Sequence, residues 1–349
     1  MARGDSDLSR AFSEDGELKT HVGGQALIEG VMMRGRGNWA VAVREPSGGI
    51  YREEHDLASA RSAKSWLRWP IVRGCVAFVE SLVLGYKALE IAVLHAFGDD
   101  DGGGESQEGE PSQDIGFGHK EMVVSMVLGL VLGIVLFIVV PAVATNLIVG
   151  EYDHATLAWN LVDGFLRVGV FVFYLWLIGR MKDVGRMFEY HGAEHKTIHC
   201  FEHGLPLTPE NARAFPRLHV RCGTAFLIMV MIIAILVYTI LPLNGLIAAW
   251  GVPDGAPKLL LVILSRIVLM PLIAGISYEV TVKWAGTHPE NPLVKVVLWP
   301  GMQMQYLTTR EPDDGQLECA IAAMKMVLDR EDSDVGRVGS RSQEVQITE

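Results

Sequence analysis

Residues 189–204, EYHGAEHKTIHCFEHG, carry the side chains with the most chemical potential. They include His191, Glu194 and His195 in the order H-x-x-E-H. Residues four apart lie on one face of an α-helix, so the two imidazoles could bind one metal ion. Glu194 would then lie beside that ion, where it can take a proton from a metal-bound water. The pattern predicts metal-assisted hydrolysis, with zinc as the favoured ion and Glu194 as general base.

A catalytic zinc takes three protein ligands and keeps a fourth position open. His219 and Glu279 are the first candidates for the third ligand, because both should return to the same membrane face as the H-x-x-E-H segment. Glu202 is a further candidate. Alternatively, Cys222 and His219 form H-x-x-C and, with Cys200, would suit a closed structural zinc site.

The histidine spacing continues beyond the motif to His199 and His203. Four histidines at intervals of four form one stripe that drifts by about 40° per step on a helix. Such a stripe can also be a polar helix face without a ligand, or a proton relay. We therefore treat His199 and His203 as additional candidates only.

The composition indicates a membrane protein. Half of the 349 residues are hydrophobic and only 20% are charged, and a net charge of −11 argues against a nucleic-acid partner. The apolar residues are concentrated at about 122–149, 161–180, 225–249 and 259–282. Each run has the roughly 20 residues that a transmembrane helix needs. The sequence thus predicts a mainly α-helical, multi-pass domain with four spans.

The basic residues between these runs predict the orientation. The segment 180–224 contains seven Lys and Arg residues, whereas 150–160 and 243–257 contain none. The positive-inside rule then places segment 180–224 and both termini in the cytoplasm. The polar first twenty residues lack the apolar core of a signal peptide, so internal spans would direct insertion.

The remaining segments flank this membrane domain, which spans 119–287. We expect a tail at 1–20, a small β unit with three strands at 21–60 and an acidic flexible linker at 98–118. Segment 62–97 has the pattern of an interfacial helix with Arg73, Glu80 and Lys87 on one face, and a membrane span at 69–97 is the less favoured alternative. At the C-terminal end, 288–329 should contain a loop to about 307 and then a cytoplasmic helix capped by Asp313 or Asp314, followed by a tail at 330–349.

The charged residues within the predicted spans include Asp163, Arg167 and Arg266. Arg167 follows Asp163 by four residues and can pair with it along one helix, whereas Arg266 has no local partner. Charges inside a membrane are functional candidates, although the first two could simply satisfy each other.

Six blocks of the sequence resemble the YqhQ-like proteins, domain-of-unknown-function family 1385. The blocks are GGQALIEGVMMRG at 23–35, YHGAEHKTIHCFEHG at 190–204, LTPENA at 207–212, RLHVRCGTAFL at 217–227, AGISYE at 274–279 and PGMQMQYLTTREPDDGQLECAI at 300–321. They run in order over about 23–328. The resemblance implies a bacterial, multi-pass protein of the plasma membrane that depends on a metal, with no assigned substrate.

Two functions remain open from the sequence. The first is a metal-dependent hydrolase at the cytoplasmic membrane interface that acts on a peptide or a lipid-linked molecule. The second is a non-catalytic scaffold or small transporter, with a structural metal or a proton-relay stripe. Transporters usually show internal repeats, which this sequence lacks. A homo-oligomer is compatible with either function.

Overall fold

The computed structural model describes residues 22–57, 65–97, 119–150, 156–241, 249–285 and 291–346, together with positions 8, 10, 11, 243, 247 and 288. The acidic segment 98–118 and most of the segment 1–20 lie outside the described residues. Four strands and ten α-helices account for the regular structure of the described part.

The N-terminal unit is an antiparallel sheet of four strands, β1 to β4, paired in sequence order. The strands are β1 Gly23–Leu27, β2 Gly30–Arg34, β3 Asn38–Arg44 and β4 Ile50–Asp56. The sheet has four strands rather than the expected three, because the chain reverses direction within QALIEGVMM. Leu27 pairs with Gly30, and Glu29 in the turn between them has a φ of 50°. A two-residue hairpin turn needs such positive φ values.

The two central strands of the sheet, β2 and β3, are buried on both faces. Met32, Val41 and Val43 pack against helix α1, Val72–Ala96. Val31 and Ala42, on the other face, pack against α5, Lys182–Glu202, and α10, Asp314–Gln346. Alternating side chains along each strand reach opposite faces, so one short apolar run serves both layers.

Four helical stretches are long and apolar enough to cross a membrane, and the described part of the chain holds no others. They are Val123–Val149, Leu157–Ile178, Gly223–Ile240 and Ala256–Ala285. The first combines α2, His119–Ile134, a π-helical turn, Val135–Val139, and α3, Val140–Val149. The others are α4, Thr156–Ile178, α7, Gly223–Ile240, and α8, Ala256–Tyr278, which continues as the π-helical turn Glu279–Ala285.

The third stretch is shorter than predicted. It ends at Ile240 rather than near 249, and Leu241 is extended, with φ −72° and ψ 129°. A residue before a proline disfavours the helical conformation, and Pro242 follows Leu241. The predicted loop at 288–307 is wrong for most of its length, because α9 spans Pro292–Thr308. Asn291 caps this helix by accepting a hydrogen bond from the Leu293 N–H.

Two shorter elements complete the fold: a 3₁₀ turn at Ser65–Arg68 and α6, Pro209–Arg213. The predicted cap of α10 is Asp313, which accepts from the Gln316 N–H while the Gln316 side chain accepts from the Asp313 N–H. This reciprocal pair is a capping box. The helix continues to Gln346, beyond the expected end at 329.

Candidate metal centre

Helix α5 presents the predicted site residues to the interior of the protein. His191, Glu194, His195 and His199 are all buried, with exposures of 9%, 5%, 1% and 0%. The sheet and α10 cover one side of this helix, and the connector 214–222 covers another. Polar side chains in such a place need specific partners, because burial without them is costly.

Two imidazoles of α5 converge with a thiol from the next connector. One ligand atom each from His191, His195 and Cys222 lies within 4.8 Å of the others. His191 Nε2 is 3.2 Å from Cys222 Sγ. The buried His195 Nε2 makes no hydrogen bond of good geometry to the described residues, although it interacts electrostatically with Cys222. We call these three residues the first group.

Backbone carbonyls fix both imidazoles. His191 Nδ1 lies 2.8 Å from the carbonyl oxygen of Thr308, and His195 Nδ1 lies 2.6 Å from that of Arg217. Each Nδ1 can therefore donate its hydrogen to a carbonyl, which leaves the Nε2 lone pair directed at the group. Metal-binding histidines are commonly oriented in this way.

Cys222 is placed to be a thiolate. It is the N-cap of α7, where its sulfur accepts from the Thr224 N–H at 3.4 Å. Burial opposes its ionisation, but His191 and His195 outweigh burial and hold the pKa of the thiol well below its usual range. Conversely, burial would lower the pKa of His191, but the nearby Cys222 charge raises that pKa to about 9. A thiolate is the form that binds a metal.

Glu194 lies beside the first group and under the sheet. Burial raises the pKa of its carboxyl to about 7, and the backbone N–H of Gly24 in β1 donates to it. A Cβ at Gly24 would lie 2.7 Å from Glu194 Cγ, so only glycine fits here. A carboxyl with a pKa near neutral pH can both accept and return a proton.

A second group of potential ligands lies further along α5. One ligand atom each from His199, Glu202 and His219 lies within 4.8 Å of the others, and all three residues are buried. The ring centroids of His195 and His219 are 5.7 Å apart, so the two groups are adjacent. Gln305 of α9 holds the His219 backbone by two hydrogen bonds of 2.8 Å, one to its N–H and one to its carbonyl.

Other predicted candidates lie elsewhere. Glu279 forms an ion pair with Arg73 of α1 and also accepts from the Ile71 N–H, so it is in neither group. His203 is exposed and its Nδ1 contacts the His199 carbonyl oxygen. Cys200 contacts the Pro206 carbonyl oxygen and is not in the group with Cys222.

Arg266 has partners that are distant in the sequence but lie on the candidate membrane-spanning helices. Its guanidinium donates to Asp163 at 2.5 Å and to Asn160 at 2.8 Å, and Asp163 also pairs with Arg167 at 3.1 Å. The rings of Trp159 and Tyr238 lie 4.8 and 4.4 Å from the Arg266 guanidinium carbon. Asp163 thus bridges two arginines in a buried cluster, separate from both groups on α5.

Sequence comparison identifies the family. The model for a protein of unknown function, DUF1385, matches residues 69–330. The chain belongs to the DUF1385 family. Within curated proteins, this DUF1385 chain is 30% identical over 309 residues to the uncharacterized protein YqhQ of Bacillus subtilis, covering 88% of the chain and 92% of the relative. No solved structure matches. The resemblance seen in the sequence blocks is therefore confirmed.

Several contacts that hold the candidate ligands of this DUF1385 protein in place could not be predicted from the sequence. Thr308 and Arg217 act through backbone carbonyls, which any residue type could supply. Gln305 and Gly24 lie within the family-like blocks, but their spacing gives no hint of the partners they contact. The H-x-x-C pattern did single out Cys222, although for a different partner.

Proposed function

We propose that this protein is a membrane-embedded, metal-dependent hydrolase whose ion is bound by His191, His195 and Cys222. The observation that carries the proposal is the convergence of two buried imidazoles and a partly buried thiol beside a carboxyl with a pKa near 7. Two imidazoles and one thiolate are a ligand set that suits zinc and leaves a fourth position open. Cys222 is thus proposed as the third ligand in place of the predicted candidates His219 and Glu279.

Bound zinc would lower the pKa of a coordinated water to about 7 and polarise a substrate carbonyl or phosphoryl oxygen. Glu194 would accept the proton of that water and deliver it to the leaving group. The Gly24 N–H holds the carboxylate in place during this exchange. The carbonyls of Thr308 and Arg217 keep the imidazoles in the tautomer that binds metal.

The helices adjoining the site suggest how substrate arrives. Cys222 immediately precedes Gly223–Ile240, one of the four stretches long and apolar enough to cross a membrane. The basic residues of segment 180–224 favour a cytoplasmic location for this end of the span. We therefore propose that both termini are cytoplasmic and that the site lies at the inner surface of a bacterial plasma membrane. A peptide or lipid-linked substrate would reach it from the bilayer or the cytoplasm.

The scaffold or transporter alternative has its best support in the cluster of Asp163, Arg167 and Arg266. These side chains contact one another and Asn160, and the cluster links α4 to α8. Such mutual contacts favour a structural cross-link between spans. The hydrolase proposal explains the first group and Glu194 together, whereas a structural metal at the first group would leave Glu194 without a role.

Metal content tests the ligand assignment. The untagged full-length protein would be purified in detergent, dialysed against metal-free buffer and analysed by elemental mass spectrometry. We expect Cys222→Ala to lose one ion per chain relative to wild type. The matched control is Cys75→Ser, since the Cys75 thiol contacts only the Pro271 carbonyl among the described contacts. Equal metal content in wild type and Cys222→Ala would exclude Cys222 as a ligand.

Cobalt substitution tests whether the site is open. A cobalt–thiolate charge-transfer band should be present in the wild type and absent in Cys222→Ala. Acetohydroxamate should shift the cobalt spectrum, because an open position accepts it and a closed structural site does not. Glu194→Gln should retain the ion and this band but lose turnover of any substrate found. Full turnover by Glu194→Gln would eliminate the general-base role.

A further inference from the structure

We propose that His199, Glu202 and His219 bind a second divalent cation beside the first. This inference rests on the proposed function, because it makes the site a two-metal centre. One potential ligand atom from each of the three residues lies within 4.8 Å of the others. All three side chains are almost fully buried, with exposures of 0%, 1% and 3%.

The state of His199 points to a missing partner. Its Nε2 lies 2.9 Å from the Leu218 carbonyl oxygen and so carries the hydrogen of the neutral ring. The remaining Nδ1 has a free lone pair, is buried and has no hydrogen-bond partner among the described residues. A buried acceptor without a partner is costly, and a cation would satisfy it.

The distance between His219 and Glu202 fits two ligands of one ion better than it fits a hydrogen bond. His219 Nε2 and Glu202 Oε2 are 3.4 Å apart. A hydrogen bond from a ring nitrogen to a carboxylate is usually about 2.7–2.9 Å long. Two ligands at about 2.0–2.1 Å from a tetrahedral ion are separated by about 3.3 Å. The observed distance thus matches two ligands with an ion between them.

Arg221 supplies the outer contact that a ligating carboxylate needs. Its guanidinium pairs with Oε1 of Glu202, the oxygen that does not face His219. This pairing places a positive charge beside the buried carboxyl group and fixes its orientation, as outer-shell partners do in metal sites. The Arg221 N–H donates to His219 Nδ1 over 3.3 Å. An imidazole that binds an ion through Nε2 carries its hydrogen on Nδ1, so this one long hydrogen bond would be lost.

The position of the second group gives the second cation a catalytic role. His219 is next to His195 of the first group, with ring centroids 5.7 Å apart. In two-metal hydrolases, neighbouring ions stabilise the attacking and leaving oxygens together. We infer that the second cation shares the substrate or its attacking water with the first.

Metal stoichiometry decides the proposal. Zinc titration of metal-free wild-type protein against a fluorescent chelator should give two ions per chain. His199→Asn and His219→Asn should each bind one, while Cys222→Ala should also bind one. His203→Asn, which changes an exposed histidine of the same stripe, is the control and should bind two.

The outcomes separate this inference from the proposed function. A wild type that binds one ion, lost in Cys222→Ala and kept in His199→Asn, would overturn the second site and leave the first intact. No bound ion in the wild type would overturn both. Because a buried histidine variant could misfold, the wild-type titration is decisive by itself, and electron paramagnetic resonance of the cobalt-loaded wild type should show coupling between two neighbouring ions.

Discussion

Gly301→Ala should lower the zinc affinity of the candidate centre, although Gly301 is in neither group of ligands. Gly301 lies on α9, and a Cβ there would be 2.6 Å from Cβ and 2.8 Å from Cα of Ala225 on α7. Ordinary contacts begin at 3.4 Å, so the two helices must separate by about 0.8 Å, the difference between 3.4 and 2.6 Å. Helix α9 also carries Gln305 and Thr308, which hold His219 and His191.

The expected magnitude follows from two opposing contributions. Overpacking at a backbone contact costs about 1–3 kcal/mol. Replacing glycine by alanine inside a helix returns about 1 kcal/mol. We therefore expect a net loss of about 0–2 kcal/mol in the free energy of unfolding, about 1–3 kcal/mol below a glycine-to-alanine change that meets no neighbour. Loss of the hydrogen bonds that orient metal ligands weakens metal binding by about 10–100-fold. Zinc affinity should therefore fall by at least about tenfold.

The assay compares thermal unfolding in detergent, followed by tryptophan fluorescence, with zinc affinity measured by chelator competition. Gly169→Ala is the matched control, because a Cβ there meets nothing within 4 Å. Ala225→Gly in the Gly301→Ala background should restore part of both losses, since it removes the closest atom but leaves Ala225 Cα. If Gly301→Ala matched Gly169→Ala in stability and zinc affinity, the proposed link between α9 and the centre would be refuted.

Two further predictions concern charged contacts. Asp163→Asn leaves Arg167 and Arg266 without their shared carboxylate, so it should cost about 3–5 kcal/mol of stability while metal content stays unchanged. A loss of metal without a loss of stability would contradict this. Hydrogen bonding and charge from Arg186 lower the pKa of Glu29, so their stabilisation is present above about pH 4.5 and lost as pH falls through the lower folded-state pKa. The wild type should therefore be more stable than Glu29→Gln at pH 7, measured by thermal unfolding, and the difference should shrink at acidic pH; a constant difference would argue against the ion pair.

The helical part of the site was predictable because local periodicity determines it. His191 and His195 lie one turn apart on any helix, and the apolar runs marked the candidate spans by length alone. The same logic failed for His219 and Cys222. They are three residues apart but belong to different groups, because the connector that holds them is not helical and side chains there follow no period.

Long-range partners explain the other differences. Glu279 was a reasonable ligand candidate from its position, but Arg73, 206 residues earlier in the chain, takes its carboxylate. Arg266 lacked a local partner because Asp163 is 103 residues away. The segment 288–307 was predicted to be a loop, yet α9 spans most of it and continues through Pro300. A proline removes one hydrogen bond, and tertiary packing such as the close contact of Gly301 with Ala225 can compensate.

The sheet belongs to the candidate site, although the family model begins at residue 69. Gly24 in β1 touches Glu194 so closely that no side chain fits between them, and Glu29 in the first turn pairs with Arg186 of α5. Residues 69–349 number only 281, so an alignment of 309 residues with the Bacillus protein must extend into the sheet. A strand that donates to the proposed base and covers the ligand helix explains why sheet and helices would be retained together. Under the proposed function, the sheet excludes water from Glu194 and thereby keeps its pKa near neutral.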